Sequence, residues 1–339
     1  MNRSRRDWLS RWPAGSSLRT PAPAGPVTSL AREAMATLFE IQFPESGVKR
    51  AVALKVFDEI DAIERQLTVY RDDSEISRIN ARAHEGPMSV ETRLFDLLVD
   101  CQRWWGETGG AFDITAGPLI RAWGFHRRQG RMPSTEELES LRPKIGMGHV
   151  KLDPRAKTIR FDRAGIEINL GGIGKGYAID RALEHLAPMG LTSALMGAGQ
   201  SSIRAVGDAP GNIGWPIDLA DPSAPGRRLG QVGLVDAGLS TSASSEQYFE
   251  HEGKKYGHLL DPRTLWPAPP DRQVTVMAPT AARAEALSTA FYVMGYEWTK
   301  EYVAKDSSIG VVYVEKDRSP AGVRVHSLGN INGQPSATG

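Results

Sequence analysis

The chain has 339 residues, with 41 Lys and Arg against 40 Asp and Glu, and this near-zero net charge of +1 excludes a nucleic acid as the dominant partner. Hydrophobic residues make up 40% of the chain, but no run approaches the ~18 apolar residues of a membrane span, so no integral membrane segment is predicted. The single cysteine, Cys101, excludes an internal disulfide and a cysteine-rich metal site.

The two ends of the chain are predicted to be tails. Residues 1–30 carry five arginines and four prolines without a periodic apolar face, which is typical of a disordered basic segment. Ser4-Arg5-Arg6 resembles a twin-arginine start, but no apolar stretch or lipobox cysteine follows, so we expect a cytoplasmic location and leave a periplasmic one open. Residues 31–327 are expected to form a single elaborated domain, and residues 328–339 a frayed end.

Apolar periodicity predicts alternating helices and short strands between these tails. Helices are predicted at 49–67, 89–106, 135–141, 175–188 and 281–292, with Ser89 and Ser134 or Thr135 as N-caps. Strands are predicted at 37–43, 149–152, 158–161, 166–170, 193–197, 202–206, 229–235 and 310–314. Because most strands have hairpin spacing, we expect an α+β fold with mixed, largely antiparallel sheets and packed helices.

Two glycine-rich segments invite nucleotide-binding interpretations that their spacing does not support. Residues 171–176 lack the first glycine and the final Ser or Thr of a P-loop, since Asn169 and Gly176 stand there. Residues 197–202 lead into a predicted strand instead of the helix that a dinucleotide fingerprint needs. The first segment still enters a helix N-terminus, where backbone amides can approach an anion. A tight turn without a ligand is the alternative for both.

The predicted helix at 281–292 carries a polar face. Glu285, Ser288 and Thr289 lie at i, i+3 and i+4, so one carboxylate and two hydroxyls share that face. Magnesium prefers oxygen ligands of this kind. A solvated helix surface is the alternative interpretation.

Seven sequence blocks occur in a recognisable order. They are Met35-Ala36-Thr37, residues 67–80, 110–125, 169–180, Ser240-Thr241-Ser242, residues 256–264 and 287–295. Together they resemble the FAD:protein FMN transferase (ApbE) family over residues 33–315. The resemblance implies a T-fold-like ApbE architecture, in which a single domain, or two lobes with FAD in the cleft between them, forms the site.

The resemblance also implies an activity and a set of site residues. The activity is Mg²⁺-dependent transfer of the FMN moiety of FAD to a threonine hydroxyl of an acceptor protein, with release of AMP. The implied FAD contacts are Met35, Tyr70, Ala111, Phe112, Asp113, Lys175, His258 and Arg263. The implied metal ligands are Gly172, Glu285 and Thr289, with Ser288 nearby. His258 is implied to move a proton or bind phosphate.

Several of these residues have structural alternatives. Tyr70 offers a stacking face for the flavin or adenine ring, or is a core aromatic. His258 and Arg263 either act on phosphate or form hydrogen bonds within their own turn. Lys175 either contacts phosphate or is a surface charge at a helix start.

The sequence departs from the pattern of the family that it resembles at three points. Asn169 replaces an aspartate that is a candidate catalytic base, and an amide can orient a hydroxyl but cannot accept its proton. Glu285 replaces an aspartate and adds one methylene to the metal ligand. Leu265 stands where a glycine is usual. These departures keep open two alternatives, a flavin carrier without transferase activity and an FAD pyrophosphatase that releases FMN and AMP.

Overall fold

The computed structural model describes residues 20, 24–45, 50–127, 129–224, 226–243, 247–317 and 322–331. The twin-arginine start and residues 332–339 of the predicted C-terminal tail lie outside these ranges. None of the described helices is both long and apolar enough to cross a membrane.

The described chain is mostly helical up to residue 184, then forms ten successive strands, and ends with two helices and two strands. The helices are α1 (Arg50–Leu67), α2 (Glu75–Arg82), α3 (Thr92–Glu107), α4 (Gly117–Ala122), α5 (Thr135–Leu141), α6 (Gly174–Glu184), α7 (Ala281–Met294) and α8 (Tyr296–Val303). The strands are β1 (Val27–Ala34), β2 (Thr37–Pro44), β3 (Met88–Ser89), β4 (Val150–Asp153), β5 (Thr158–Phe161), β6 (Ala194–Ala198), β7 (Ser202–Val206), β8 (Trp215–Ala220), β9 (Arg228–Leu234), β10 (Gly238–Ala243), β11 (Tyr248–His251), β12 (Lys254–Gly257), β13 (Leu260–Asp261), β14 (Trp266–Pro267), β15 (Arg272–Ala278), β16 (Gly310–Lys316) and β17 (Val323–Gly329).

The main sheet has eight strands in the order β1-β2-β6-β7-β10-β15-β16-β17. Every neighbouring pair in it is antiparallel. At its centre, Leu239 of β10 pairs with Ile203 on one side and Met277 on the other. The prediction of an α+β fold with largely antiparallel sheets is confirmed.

The two faces of this sheet are buried against different partners. In β16, Val311 and Tyr313 join the core formed with the helices, whereas Val312 and Val314 join a second core. The second core contains Trp215 and other residues of the β8–β9 hairpin. Because successive strand residues point to opposite faces, burial on both sides explains why β6 and most of β16 are continuously apolar.

A third apolar cluster forms around Trp123, at the side of the helical core. Its indole N–H donates to the carbonyl of Leu265 at 3.0 Å, which ties α4 to the β13–β14 turn. Phe249 and Tyr256, paired across the β11–β12 hairpin, stack at a centroid distance of 5.4 Å and flank Trp123. This cluster, defined by Trp123, Phe249, Tyr256 and Leu265, is called the aromatic cluster below.

The predicted tail boundaries need correction at both ends. β1 begins at Val27 within the predicted basic tail, because residues 27–34 pair with β2 in register. At the other end, Leu328 and Gly329, which were predicted to be frayed, continue β17 and pair with Val311 and Gly310. In both places the partner strand, and not local composition, decides the structure.

Two predicted elements inside the chain are also wrong. Residues 166–170 alternate in burial, but they form no strand among the described residues beyond one isolated bridge at Glu167. Ser89 lies in β3 and does not cap a helix. α3 begins at Thr92, because the carboxylate of Glu91 accepts the first free amides, those of Arg93 and Leu94.

Candidate active site

The glycine loop before α6 is shaped by two asparagines. The Asn80 side chain donates to the Ile168 carbonyl at 2.9 Å and accepts from its amide at 2.8 Å, replacing a strand partner. Asn169 Oδ1 then accepts from the amide of Gly171 at 2.9 Å. A side chain at Gly172 would meet open space, so this part of the loop faces outward. Asn169 therefore folds the loop back on itself and leaves Gly172 exposed.

Glu285 is buried in α7, with 5% of its surface exposed. Its Oε2 accepts from the amide of Gly176 at 2.7 Å, and its Oε1 accepts from Ser202 Oγ at 2.9 Å. The Lys175 ammonium lies 2.5 Å from Oε1. The alternative of a solvated glutamate is therefore wrong: the carboxylate is held by a helix N-terminus, a strand hydroxyl and a cation.

Asp180 makes the complementary contact from α6. Its two oxygens accept from the amides of Ala281 and Ala282, each at 2.9 Å, and its Oδ1 lies 2.5 Å from Arg204 Nη1. Burial raises the pKa of this carboxyl, and the contacts with Arg204 and the two amides offset part of that rise. The start of α7, which carries Glu285, is thereby fixed to α6.

The approach of these two helices requires a glycine. A Cβ at Gly176 would lie 2.5 Å from the carbonyl oxygen of Ala281, which is closer than any real contact. Gly176 therefore lets the start of α6 contact the start of α7.

The two hydroxyls beside Glu285 have different surroundings. Ser288 has no exposed surface and bonds to Ser242 at 2.9 Å and Ser240 at 3.3 Å, so its hydroxyl is already engaged in the sheet–helix interface. Thr289 is half-buried, and its hydroxyl makes no hydrogen bond within the described part of the chain. Thr289, one turn from Glu285, is the better placed of the two for a ligand.

These donors fit a hard divalent cation. A carboxylate, a threonine hydroxyl and a carbonyl at Gly172 are the oxygen ligands that Mg²⁺ prefers, and the Thr289 hydroxyl has no competing partner among the described residues. Among these residues no group of three or more His, Cys, Asp and Glu side chains is arranged to hold a metal. A cation here would thus use a single carboxylate, the one that Lys175 contacts.

The His258 ring lies edge-on to Phe125, with the ring centroids 6.5 Å apart. Its Nδ1 bonds to the Gln247 carbonyl at 3.1 Å. Because a carbonyl only accepts, Nδ1 carries the proton and the lone pair of the neutral ring is on Nε2. Burial lowers the pKa of His258, the carbonyl contact raises it, and the positive charge of Lys175 lowers it further. The ring is therefore a neutral proton acceptor at physiological pH.

The segment 111–113 combines buried apolar side chains with an acid. Ala111 and Phe112 are almost fully buried in the helical core, so only their backbones can reach a ligand. Burial raises the pKa of Asp113 to about 6, although the Thr115 hydroxyl and amide donate to it at 2.6 and 2.7 Å. Asp113 is thus an acid poised to titrate close to neutrality.

Arg263 is held beside this segment by its own turn. Its Nε and Nη2 donate to the two oxygens of Asp261 at 2.8 and 2.7 Å. A Cβ at Gly110 would lie 3.7 Å from the Arg263 side chain, so this arginine lies beside Gly110, which precedes the segment 111–113. Leu265 closes the turn with φ of 68°, a conformation that favours the glycine usual in the family.

Two predicted FAD contacts lie at the surface. Tyr70 is 73% exposed, so the alternative of a core aromatic is wrong, and its hydroxyl contacts the His126 carbonyl at 3.4 Å. Met35 is half-buried in the β1–β2 turn, where Met35 and Ala36 have φ of 48° and 58°. A two-residue hairpin turn without glycine stores strain, and such strain accumulates at ligand sites.

The structure brings only part of the predicted set into direct contact. Lys175 and Glu285 touch, and the charge of Lys175 acts on His258. Sequence reasoning missed the residues that position this group, namely Asn80, Asp180, Ser202 and Gly176. Asn80 and Asp180 stand within the blocks at 67–80 and 169–180, so the motif membership was a signal, but their roles required the three-dimensional pairing.

Fold and site together define the class: an α+β protein in which an outward-facing glycine loop leads into a lysine that pairs with a buried acid, and the charge of this lysine acts on a histidine. A family model described as "ApbE family" matches residues 35–313. The chain therefore belongs to the ApbE family.

Relatives agree with this assignment over most of their length. The FAD:protein FMN transferase of Haemophilus influenzae is 28% identical over 303 residues, covering 86% of this chain and 87% of that protein. The one from Salmonella typhimurium is 30% identical over 297 residues, covering 85% and 83%. The crystal structure of the ApbE protein from Thermotoga maritima matches with a TM-score of 0.81 and 28% identity, covering 89% and 97%. Apo flavinyl transferase ApbE from Pseudomonas stutzeri matches with a TM-score of 0.78 and 28% identity, covering 89% and 94%.

Proposed function

We propose that this protein transfers the FMN moiety of FAD to a threonine hydroxyl of an acceptor protein, with Mg²⁺ at Glu285 and Thr289. FMN transfer from FAD is the activity that the names of the relatives state. The single observation that carries the proposal for this chain is the contact of Lys175 with the buried carboxylate of Glu285, at the end of a loop in which Gly172 is open. The charge of this lysine also acts on His258. This group supplies positive charge, a metal-binding acid and a proton acceptor at one place.

In the proposed reaction, the threonine oxygen attacks the phosphorus of the FMN phosphate, and the bond from that phosphorus to the bridging oxygen breaks. AMP leaves with the bridging oxygen. A bound Mg²⁺ supplies charge neutralisation for the diphosphate and for the leaving group. His258 Nε2 accepts the hydroxyl proton, because the N–H at Nδ1 donates to the Gln247 carbonyl and leaves the lone pair on Nε2. Asn169 has no carboxylate for this task and holds the loop through Gly171.

The proposed flavin contacts come from several other segments of the chain. Tyr70 offers an exposed ring face for stacking, and Met35 lies on a strained turn. Arg263, which lies beside Gly110, and Asp113 are proposed to contact the rest of FAD. We propose that FAD binds between the aromatic cluster and the α6–α7 helix pair.

The test is incubation of the purified protein with FAD, MgCl₂ and an acceptor protein bearing an exposed threonine. We expect stoichiometric AMP by chromatography and an acceptor mass increased by one FMN moiety. Glu285→Gln should lower this turnover by at least about 10²-fold, because it removes the charge of the one carboxylate that is proposed to bind Mg²⁺. Glu301→Gln, an exposed acid on α8, is the matched control and should leave turnover unchanged.

A flavin carrier is a second candidate, favoured by Asn169 and by the complete set of partners around Glu285. FAD that binds and stays intact with two different acceptors would support the carrier and contradict the transferase. AMP with free FMN and an unchanged acceptor mass would indicate the pyrophosphatase. Asn169→Asp separates the first two: a gain of transfer in this variant would show that the missing carboxylate limits the reaction.

A further inference from the structure

The three partners of the Glu285 carboxylate differ in how firmly they are held. The amide of Gly176 belongs to α6, and the hydroxyl of Ser202 is fully buried on β7. Lys175 instead reaches the carboxylate through a flexible side chain that remains 25% exposed. Only the lysine can therefore leave Glu285 without disturbing the helix pair or the sheet.

The position of the ammonium conflicts with the proposed cation. Lys175 Nζ lies 2.5 Å from Glu285 Oε1, and the same oxygen accepts a hydrogen bond from Ser202. A carboxylate oxygen offers about two lone-pair positions, so both positions on Oε1 are occupied. Because the Ser202 hydroxyl is buried on β7, a divalent cation that binds Oε1 takes the place of the ammonium.

We infer that Lys175 is a displaceable counter-ion: a divalent cation takes its place at Glu285, and the released ammonium moves to the diphosphate of the flavin substrate. The inference rests on the proposed function for the identity of that anion. Without ligands, the lysine neutralises a buried acid that would otherwise be costly. With ligands, the two positive charges of the cation and the one of the ammonium balance the single negative charge of Glu285 and the two of the diphosphate.

The exchange makes the binding of the two ligands cooperative. The cation alone must displace an ammonium for which the described residues offer no other acidic partner, so its affinity is low. When FAD is present, the diphosphate accepts the ammonium and the cation gains access to Glu285. By linkage, Mg²⁺ raises the affinity for FAD by the same factor as FAD raises the affinity for Mg²⁺.

Calorimetric titration with Mg²⁺ alone tests this assignment on wild-type protein and on Lys175→Met. The variant leaves the carboxylate without its counter-ion, so we expect it to bind Mg²⁺ on the order of tenfold more tightly than wild type. Lys175→Arg should bind it more weakly, because a guanidinium holds a carboxylate through two donors. Lys300→Met, at an exposed position of α8, is the control and should match wild type.

The second readout is the coupling between ligands. In wild type, saturating FAD should raise the Mg²⁺ affinity about tenfold, and in Lys175→Met this factor should fall towards one. Equal or weaker Mg²⁺ binding by a folded Lys175→Met overturns the inference and makes the pair structural. If that variant does not fold, an absence of coupling in wild type overturns it instead. Neither titration measures turnover, so coupling without transfer would contradict the proposed function alone.

Discussion

Asp180 and Glu285 bind the N-termini of each other's helices. Asp180 on α6 accepts from the first two amides of α7, and Glu285 on α7 accepts from the amide of Gly176 in the first turn of α6. Each carboxylate satisfies amides that have no partner within their own helix and lies at the positive end of a helix dipole. The reciprocal pair fixes the glycine loop relative to the helix that carries the proposed metal ligands.

This pairing predicts a large effect of Asp180→Asn. The amide can offer one oxygen to Ala281 or Ala282, but its NH₂ group faces the other backbone donor, and Arg204 loses its charge partner. We expect a loss of about 3 kcal/mol in the free energy of unfolding, measured by urea denaturation. Glu184→Gln on the same helix, whose side chain is 57% exposed in a pair with Arg181, should cost under about 0.5 kcal/mol. Similar losses in both variants would contradict the capping role.

Asp113 predicts a pH dependence of stability. Its folded pKa of about 6 exceeds the ordinary value of 3.8, so the folded state binds this proton more tightly than the unfolded state. The resulting stability is complete below pH 3.8 and is lost as the pH rises through about 6. As the pH rises from 3.8 to about 6, the melting temperature of wild type should therefore fall relative to that of Asp113→Asn.

Asp73 provides a control of opposite sign for this measurement. The hydrogen bonds and charge of Arg71 lower the pKa of Asp73, so its contribution is present above the ordinary pKa and is lost as the pH falls below it. Because Arg71 stays charged throughout, the difference between wild type and Asp73→Asn should stay constant over the window in which Asp113 titrates. A constant difference for Asp113→Asn as well would refute the raised pKa.

The parts of the fold that the sequence predicted correctly are those with strong local patterns. The amphipathic period of residues 49–67 and the Ser134 cap placed α1 and α5 almost to the residue. The strands β10, β15 and β17 were missed, although β15 is buried along nearly its whole length. β10 and β15 pair with strands that are distant in sequence, and continuous burial of β15 removes the alternation that marks a strand. β17 forms a hairpin with β16 but carries few buried apolar residues to mark it.

The same division applies to the site. The motif order identified Lys175 and His258, because their blocks are recognisable in sequence, and the polar face of the predicted helix identified Glu285. The burial of Glu285 and its contact with Lys175 could not be predicted, since both depend on how closely Gly176 lets two helices approach. Ser288 shows the limit of helical spacing: it shares the predicted face with Glu285, yet its hydroxyl bonds to β10.

Leu265 predicts an inverted order of two substitutions. Its side chain is 1% exposed in the aromatic cluster, while its φ of 68° is unfavourable for any residue with a Cβ. Leu265→Ala and Leu265→Gly both lose the buried side chain, at about 2–5 kcal/mol, but only glycine relieves the backbone. Leu265→Gly should therefore be more stable than Leu265→Ala by about 1 kcal/mol in urea denaturation.

The control for this inversion is Leu260, which is buried in the same cluster but lies in β13 without a positive φ. There the ordinary order should hold, with Leu260→Ala more stable than Leu260→Gly, because glycine loses more conformational entropy on folding. An alanine variant that is the more stable one at both positions would show that Leu265 is unstrained.

His258 predicts the acid limb of the reaction's pH profile. The ring must be neutral to accept the threonine proton, and burial together with Lys175 lowers its pKa below the ordinary 6.5. The single-turnover rate of FMN transfer should therefore rise with pH through a midpoint below 6.5 and then stay level.

Removing a general base typically costs 10²–10⁴-fold, so His258→Gln should lose about that factor and the acid limb, with a smaller change in FAD affinity. His149→Gln, whose ring pairs with Asp162 at 3.0 Å outside the site, should keep both rate and profile. Equal losses of rate and FAD affinity in His258→Gln would instead assign this histidine to binding.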